Sequence, residues 1–105
     1  MPIPDISHLQ FLLLDALQGC EQSGRALREL LQTEGHRTSG PAFYQLMARM
    51  EDAKFVRGRY IQKVVEGQLI KERVYTITAS GVATAEAVRS FYASLAARRQ
   101  GLEGA

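Results

Sequence analysis

Side chains that bind anions are concentrated in the middle of this 105-residue chain, whose net charge is only +2. Residues 1–36 are acidic on balance, with Arg25 and Arg28 as their only strong bases. Residues 37–75 contain Arg37, Arg49, Lys54, Arg57, Arg59, Lys63, Lys71 and Arg73. This asymmetry favours a polyanionic partner such as a nucleic acid. A solvated basic face without a partner has the same composition, so charge alone leaves both interpretations open.

Polar residues in the same stretch have the chemistry needed to read a duplex. Glutamine pairs with adenine through two hydrogen bonds, and arginine pairs with guanine or contacts a phosphate. The candidate DNA-binding residues are Arg37, Thr38, Ser39, Tyr44, Gln45 and Arg49, followed by Arg57, Arg59, Lys63, Lys71 and Arg73. Arg37 and Thr38 are expected to contact the DNA backbone. The last five form a basic hairpin that would follow a phosphate strand or the minor groove, or would merely protect a sheet edge from aggregation.

Three capped apolar segments predict helices that would position these residues. Ser7 begins a capping-box pattern and a helix over 7–18. Ser23 begins a second helix that ends near Gly35, and a third is predicted over 41–53. Four apolar residues share one face of the third helix: Phe43, Leu46, Met47 and Met50. The polar residues Tyr44, Gln45 and Arg49 therefore face outward.

The pattern becomes strand-like after the third helix. Residues 56–65 and 69–77 are rich in β-branched and aromatic types, and Glu66-Gly67-Gln68 between them supplies a turn, which predicts a two-stranded hairpin. Thr78 is a suitable cap for a last helix over 79–98, and the tail 100–105 should fray. The single Cys20 allows no internal disulfide, and we expect it to be a small buried residue of a cytoplasmic protein.

The element order predicts a mainly α fold with a small β-hairpin, a winged helix-turn-helix. It would have a three-helix core, a two-stranded wing and a C-terminal dimerisation helix. Residues 1–78 would form the DNA-binding domain, and 79–105 the dimerisation helix and its frayed tail. A helix fits the major groove of B-DNA, so the third helix is the expected reading element.

Two segments resemble signatures of PadR-like transcriptional regulators. The run from Arg37 through Met50 to Val56 is similar to that family's Ser-x-Gly-x-x-Tyr-x-x-Leu-x-Arg-Leu-Glu-x-x-Gly. In this chain the run reads Arg-Thr-Ser-Gly-Pro-Ala-Phe-Tyr-Gln-Leu-Met-Ala-Arg-Met-Glu-Asp-Ala-Lys-Phe-Val. Arg73-Val-Tyr-Thr-Ile-Thr-Ala-Ser-Gly resembles its wing exit, Tyr followed by Leu-Thr-x-x-Gly. Lys54 stands where the family usually has glycine, and the resemblance spans about residues 7–98.

The resemblance implies a dimeric repressor that binds a pseudo-palindromic operator. The last helix would supply the dimer contacts, and its apolar stripe comprises Val88, Phe91, Tyr92 and Leu95. The alternative is that this stripe packs on the first helix of the same chain. Some relatives bind aromatic effectors near this helix, but no residue here establishes such a ligand.

Several function classes find no support in the sequence. No nucleophile elbow, phosphate-binding glycine loop or Cys/His dyad is present, so no enzyme is expected. His8 and His36 lie far apart without further ligands at metal-site spacing, so we expect no metal or cofactor. The longest apolar run is too short for a bilayer. The alternative functions are a protein-interaction module that docks an acidic partner without sequence-specific DNA binding, and a non-specific architectural DNA binder.

Overall fold

Four helices surround a small antiparallel sheet in the computed structural model, which describes residues 5–103. The elements are α1 (His8–Ala16), β1 (Gln22–Ser23), α2 (Gly24–Thr33), α3 (Gly40–Asp52), β2 (Val56–Val65), β3 (Gln68–Ile77) and α4 (Ala79–Glu103). The predicted fold class, mainly α with a small β wing, is confirmed.

Serine caps begin the first three helices, as the sequence predicted. The Ser7 hydroxyl accepts from the Gln10 amide at 3.1 Å, and the Gln10 side chain accepts from the Ser7 amide at 2.9 Å, which completes a capping box. Ser23 and Ser39 each accept a hydrogen bond from the amide three residues ahead, at 3.1 and 3.2 Å. These bonds satisfy amides that would otherwise lack partners and so fix the helix starts.

Helices α2 and α3 end in the same geometry with different residues. Gly35 follows α2 with φ of 86°, and Lys54 follows α3 with φ of 68°. The His36 amide then donates to Leu31 and the Phe55 amide to Met50, the long bonds of a Schellman ending. Only glycine adopts positive φ without steric cost, so Lys54 is strained where Gly35 is not.

Replacing Lys54 by glycine is therefore expected to raise the free energy of unfolding by about 1 kcal/mol. The lysine side chain is exposed, so little packing is lost. Urea titration followed by circular dichroism measures the change. Lys54→Gln is the matched control, because it removes the charge but keeps the strained φ, and it should unfold like the parent.

The core lies between the apolar faces of the helices and the base of the sheet. Its fully buried side chains come from α1, α2, α3, β2, β3 and α4: Leu13, Leu14, Leu17, Leu27, Leu31, Phe43, Met47, Met50, Val56, Tyr75 and Ala85. Three of the four residues of the predicted α3 stripe are completely buried, and Leu46 is half-buried. Burial of this stripe orients the rest of α3 toward solvent.

The predicted two-stranded hairpin is confirmed as β2 and β3, and the sheet has a third strand, β1, that the sequence did not predict. Strand β1 pairs with β3 through Gln22 with Tyr75 and Ser23 with Val74, and the strand order is β1-β3-β2. Strand β1 consists of only two polar residues, so it has no alternating pattern that a sequence could reveal. It forms because the α1–α2 connection runs along the free edge of β3. Glu66 and Gly67 both have positive φ, which identifies the hairpin turn as type I′.

Helix α4 is anchored at its first turn and extends further than predicted. The Thr78 hydroxyl accepts from the Gly81 amide at 3.0 Å, so Thr78 acts as the expected cap. The helix continues to Glu103 instead of ending near residue 98, so residues 100–103 are helical and not frayed. Residues 96–103 are good helix formers apart from Gly101, which explains the extension. Gly104 and Ala105 lie outside the described residues.

Helix α4 contacts α1 along its first half. Arg89 on α4 forms an ion pair with Asp15 on α1 at 2.5 Å, and a second with Glu86. Cys20 is exposed in the α1–α2 connection, so the expectation that it is buried was wrong. Among the residues that the structure describes, no helix combines the length and hydrophobicity needed to cross a membrane.

Candidate nucleic-acid interface

The outward face of α3 is polar and unpaired. Gln45, Ala48 and Arg49 are exposed, and the Tyr44 side chain is 43% exposed. None of the ion pairs found among residues 5–101 involves Arg49. The Ser39 hydroxyl is occupied as the N-cap of this helix. The face therefore offers an amide and a guanidinium side by side, which are the groups that read adenine and guanine edges.

Two grooves flank this face and share two residues. The first, the α2–α3 groove, has a volume of 520 Å³ and is lined by Arg25, Arg28, Glu29, Gln32, Thr38 and Tyr44. The second, the wing groove, has a volume of 310 Å³ and is lined by Arg25, Tyr44, Lys63, Val65, Ile70, Lys71, Glu72 and Arg73. Arg25 and Tyr44 belong to both, so a continuous basic path runs from the helix-turn-helix turn to the wing.

Three of the five basic wing residues already have carboxylate partners. The pairs are Arg59 with Glu21 (3.0 Å), Lys63 with Glu72 (2.9 Å) and Arg73 with Glu51 (2.6 Å). The hydrogen bond from Lys63 lowers the pKa of the Glu72 carboxyl, so this group stays ionised near neutral pH. Arg57 and Lys71 have no such partner among residues 5–101 and are the wing cations free to meet a phosphate.

The Arg73 side chain connects the wing to α3 and does not project from the wing into solvent. Its guanidinium lies 4.6 Å from the centre of the Tyr60 ring and donates to Glu51 of α3. Burial is the largest single influence and opposes the charge of Arg73, but Glu51 and Tyr75 together outweigh it and raise the guanidinium's pKa. Gly58 lies beneath this pair, since a Cβ there would stand 2.0 Å from the Glu51 carboxylate. The arrangement fixes the angle between the wing and the helix.

Arg73→Gln is expected to lower the free energy of unfolding by about 1–2 kcal/mol, because a half-buried Glu51 loses its charged donor. Arg59→Gln is the matched control. Its pair with Glu21 is mostly exposed, so the change should be within about 0.5 kcal/mol. Parallel urea titrations measure both. Equal losses for the two variants would contradict the bracing role of Arg73.

Sequence reasoning missed Arg25 and Arg28, which line the α2–α3 groove beside Tyr44. The Arg28 side chain donates to the backbone carbonyl of Thr38 at 3.2 Å, so it reaches across the turn. The only available signal was their i, i+3 spacing, which puts both on one side of α2. The general acidity of the first third of the chain obscured it.

The remaining predicted residues divide between surface and core. Arg37 is exposed and Thr38 half-buried at the turn before α3. On α4, Val88 is only 5% exposed and packs within its own chain, whereas Phe91 and Tyr92 are 37% and 60% exposed and Leu95 is half-buried. The contacts predicted for these residues with DNA or with a second chain stay predictions. His8 and His36 approach to 5.4 Å between ring centres, although they are distant in sequence.

Several solved structures with this fold are PadR-family transcription regulators. No protein-family model matches the sequence, and no curated protein matches it significantly. A PadR family transcription regulator from Clostridium difficile R20291 superimposes with a TM-score of 0.74 at 14% identity, over 91% of this chain and 98% of that one. A PadR family regulator from Eggerthella lenta gives 0.66 at 21% identity, over 90% and 80%.

A further similar structure is Bacillus subtilis PadR in complex with operator DNA. Its TM-score is 0.63 at 20% identity, and the match covers 76% of this chain and 46% of that one. The chain therefore has the winged helix-turn-helix fold of the PadR-family transcription regulators.

Proposed function

We propose that this protein is a sequence-specific DNA-binding transcriptional regulator, a cytoplasmic repressor that binds a pseudo-palindromic operator as a homodimer. The observation that carries the proposal is the outward face of α3, where Gln45 and Arg49 are exposed and unpaired beside a continuous basic path. The operator complex of Bacillus subtilis PadR, a protein of the same fold, supports duplex DNA as the partner.

In the proposed complex α3 lies in the major groove. Gln45 and Arg49 contact base edges, and the cations of the grooves neutralise phosphates on either side. Arg57 and Lys71 of the wing contact the backbone of the neighbouring minor groove. Phosphate contacts set the register and base contacts supply the sequence preference, so the two sets of residues have separable effects.

A second copy of the chain would cover the outer half of α4. Phe91 and Tyr92 are exposed there, beyond the segment that packs on α1. In a two-fold dimer the two α3 helices would have to meet major grooves about one helical turn, roughly 34 Å, apart. Such a dimer on its operator would repress transcription by occupying the site.

The proposal is tested by selection of duplexes from a random library with the purified protein, followed by salt titration of the recovered site. An inverted repeat with half-sites about one turn apart supports both dimer and sequence-specific binding. Salt-dependent binding without an enriched motif would identify an architectural DNA binder instead. Folded protein that binds no duplex would point to an interaction module for an acidic partner.

Tyr92→Glu is expected to convert the proposed dimer to monomers, because it buries a charge at the helix–helix contact. Sedimentation velocity measures the change. Ser90→Glu is the control, since it adds the same charge about 200° around α4 and should leave the dimer intact. A parent protein that sediments as a monomer at all concentrations would overturn the assembly without touching the fold.

A further inference from the structure

We infer that the α2–α3 groove binds a phosphate of the DNA backbone through Arg25, Arg28 and Tyr44, an assignment that rests on the proposed function. The three side chains come from two elements and line one concavity of 520 Å³. Guanidinium groups bind phosphate oxygens through parallel N–H donors, and a phenolic hydroxyl adds a further donor.

Arg28 is held in the groove by its neighbours. One terminal nitrogen donates to the Thr38 carbonyl at 3.2 Å, and the other lies 3.6 Å from the position of a Cβ on Gly40. The Nε–H is buried and has no hydrogen-bond partner among the described residues. An atom without solvent exposure cannot meet a phosphate, so the contact would use the terminal N–H groups of Arg28 in the groove, whose position is held by the bond to Thr38.

The charge of the groove favours an anion. Neither Arg25 nor Arg28 takes part in the ion pairs found among residues 5–101. Glu29 is the one carboxylate in the lining, so two positive charges face one negative charge. The wing cations Arg59, Lys63 and Arg73 are already neutralised. Among residues 5–101, unpaired positive charge is therefore found on this side of α3 as well as along the wing, where Arg57 and Lys71 supply it.

Tyr44 links the groove to the reading face of α3. Its hydroxyl lies 2.8 Å from the position of a Cβ on Gly24, so the absence of a side chain there lets the phenol rest on the start of α2. Gln45 follows directly in the sequence and faces outward. A phosphate in the groove would thus lie next to the base-reading residues and fix how α3 enters the major groove.

The test compares the parent with Arg25→Gln and Arg28→Gln on the duplex recovered by the selection described above. Each lost phosphate contact should reduce the slope of log Kobs against log[salt] by about 0.9. Sequence preference should not change. Glu29→Gln should strengthen binding, since it removes the opposing charge. Lys54→Gln, which neutralises an exposed lysine outside both grooves, is the control and should keep the parent slope.

Neutral methylphosphonate linkages, introduced one at a time into the duplex, locate the contact. The inference expects one position in each half-site that weakens the parent but not Arg25→Gln. If both arginine variants keep the parent slope and the parent's sensitive positions, the inference fails while the proposed function stands. Binding of inorganic phosphate to the groove without any sensitive linkage would also overturn it. A parent that binds no duplex at all would instead refute the proposed function.

Discussion

Gln45→Ala should weaken binding to the selected duplex by about 5- to 150-fold for each half-site, which corresponds to about 1–3 kcal/mol for each bidentate base contact. Gln45 is exposed on α3, near the centre of a helix of 13 residues, and its neighbours Tyr44 and Arg49 flank it on the same outward face. Because the side chain contributes nothing to the core, the thermal unfolding of the variant should match that of the parent.

The loss should depend on the sequence of the duplex. A base-reading glutamine makes its contact only with the correct base, so Gln45→Ala should bind unrelated duplexes like the parent and should accept any base at one operator position. Quantitative selection with the variant measures this directly. Gln100→Ala is the matched control, because it removes an exposed helical glutamine on α4 and should change neither affinity nor preference.

Arg49→Ala distinguishes the two roles open to an arginine. If Arg49 reads guanine, the variant relaxes preference at a second position of each half-site. If it contacts a phosphate, binding weakens equally for all sequences and the salt slope falls by about 0.9 for each half-site. Either result agrees with the interface described above. Unchanged binding by both Gln45→Ala and Arg49→Ala would show that α3 is not the reading helix.

Local sequence patterns were sufficient for the helices and for the reading face. The serine caps and the stripe of Phe43, Met47 and Met50 depend only on residues within a few positions, and the structure confirms them. The outward orientation of Gln45 and Arg49 then follows from helical geometry. This part of the site was predictable because burial of one face of a helix places the opposite face in solvent.

Contacts between residues distant in sequence determine the parts of the site that local patterns did not predict. Arg59 and Glu21 are separated by 38 residues, and Arg73 and Glu51 by 22, so no local sequence pattern indicates that these cations are paired. Arg25 and Arg28 joined the interface only because α2 and α3 form a common groove. Charge composition identifies cations, but the tertiary fold determines which of them are available to a phosphate.

Gly81→Ala should lower the free energy of unfolding by about 2–3 kcal/mol, the upper part of the range for overpacked sites. For a domain of this size that corresponds to a melting temperature about 10–20 °C lower. An added Cβ would stand 2.2 Å from the Phe55 carbonyl oxygen and 2.7 Å from a side-chain carbon of Ile77. Gly81 lies in the first turn of α4, so the added methyl group would push the helix away from the Phe55 carbonyl and from the Ile77 side chain.

The Phe55 carbonyl cannot move aside without further loss. It accepts from the Thr78 amide at 3.0 Å and from the Thr78 hydroxyl at 3.1 Å, and the same hydroxyl accepts from the Gly81 amide. Thr78 and Gly81 therefore act together. The threonine hydrogen-bonds the end of the hairpin to the connection after α3, and the glycine lets the first turn of α4 pack directly against that connection. The Thr-x-x-Gly spacing at the wing exit has this physical basis.

Gly101→Ala is the matched control, since Gly101 lies in the same helix with no atom within 4 Å of the added Cβ. Alanine is the better helix former, so this variant should unfold at or slightly above the parent temperature, by at most about 1 kcal/mol. The same substitution in one helix thus has opposite signs at its two ends. Scanning calorimetry measures both, and a Gly81→Ala protein as stable as the parent would mean that α4 does not bear on the Phe55 carbonyl.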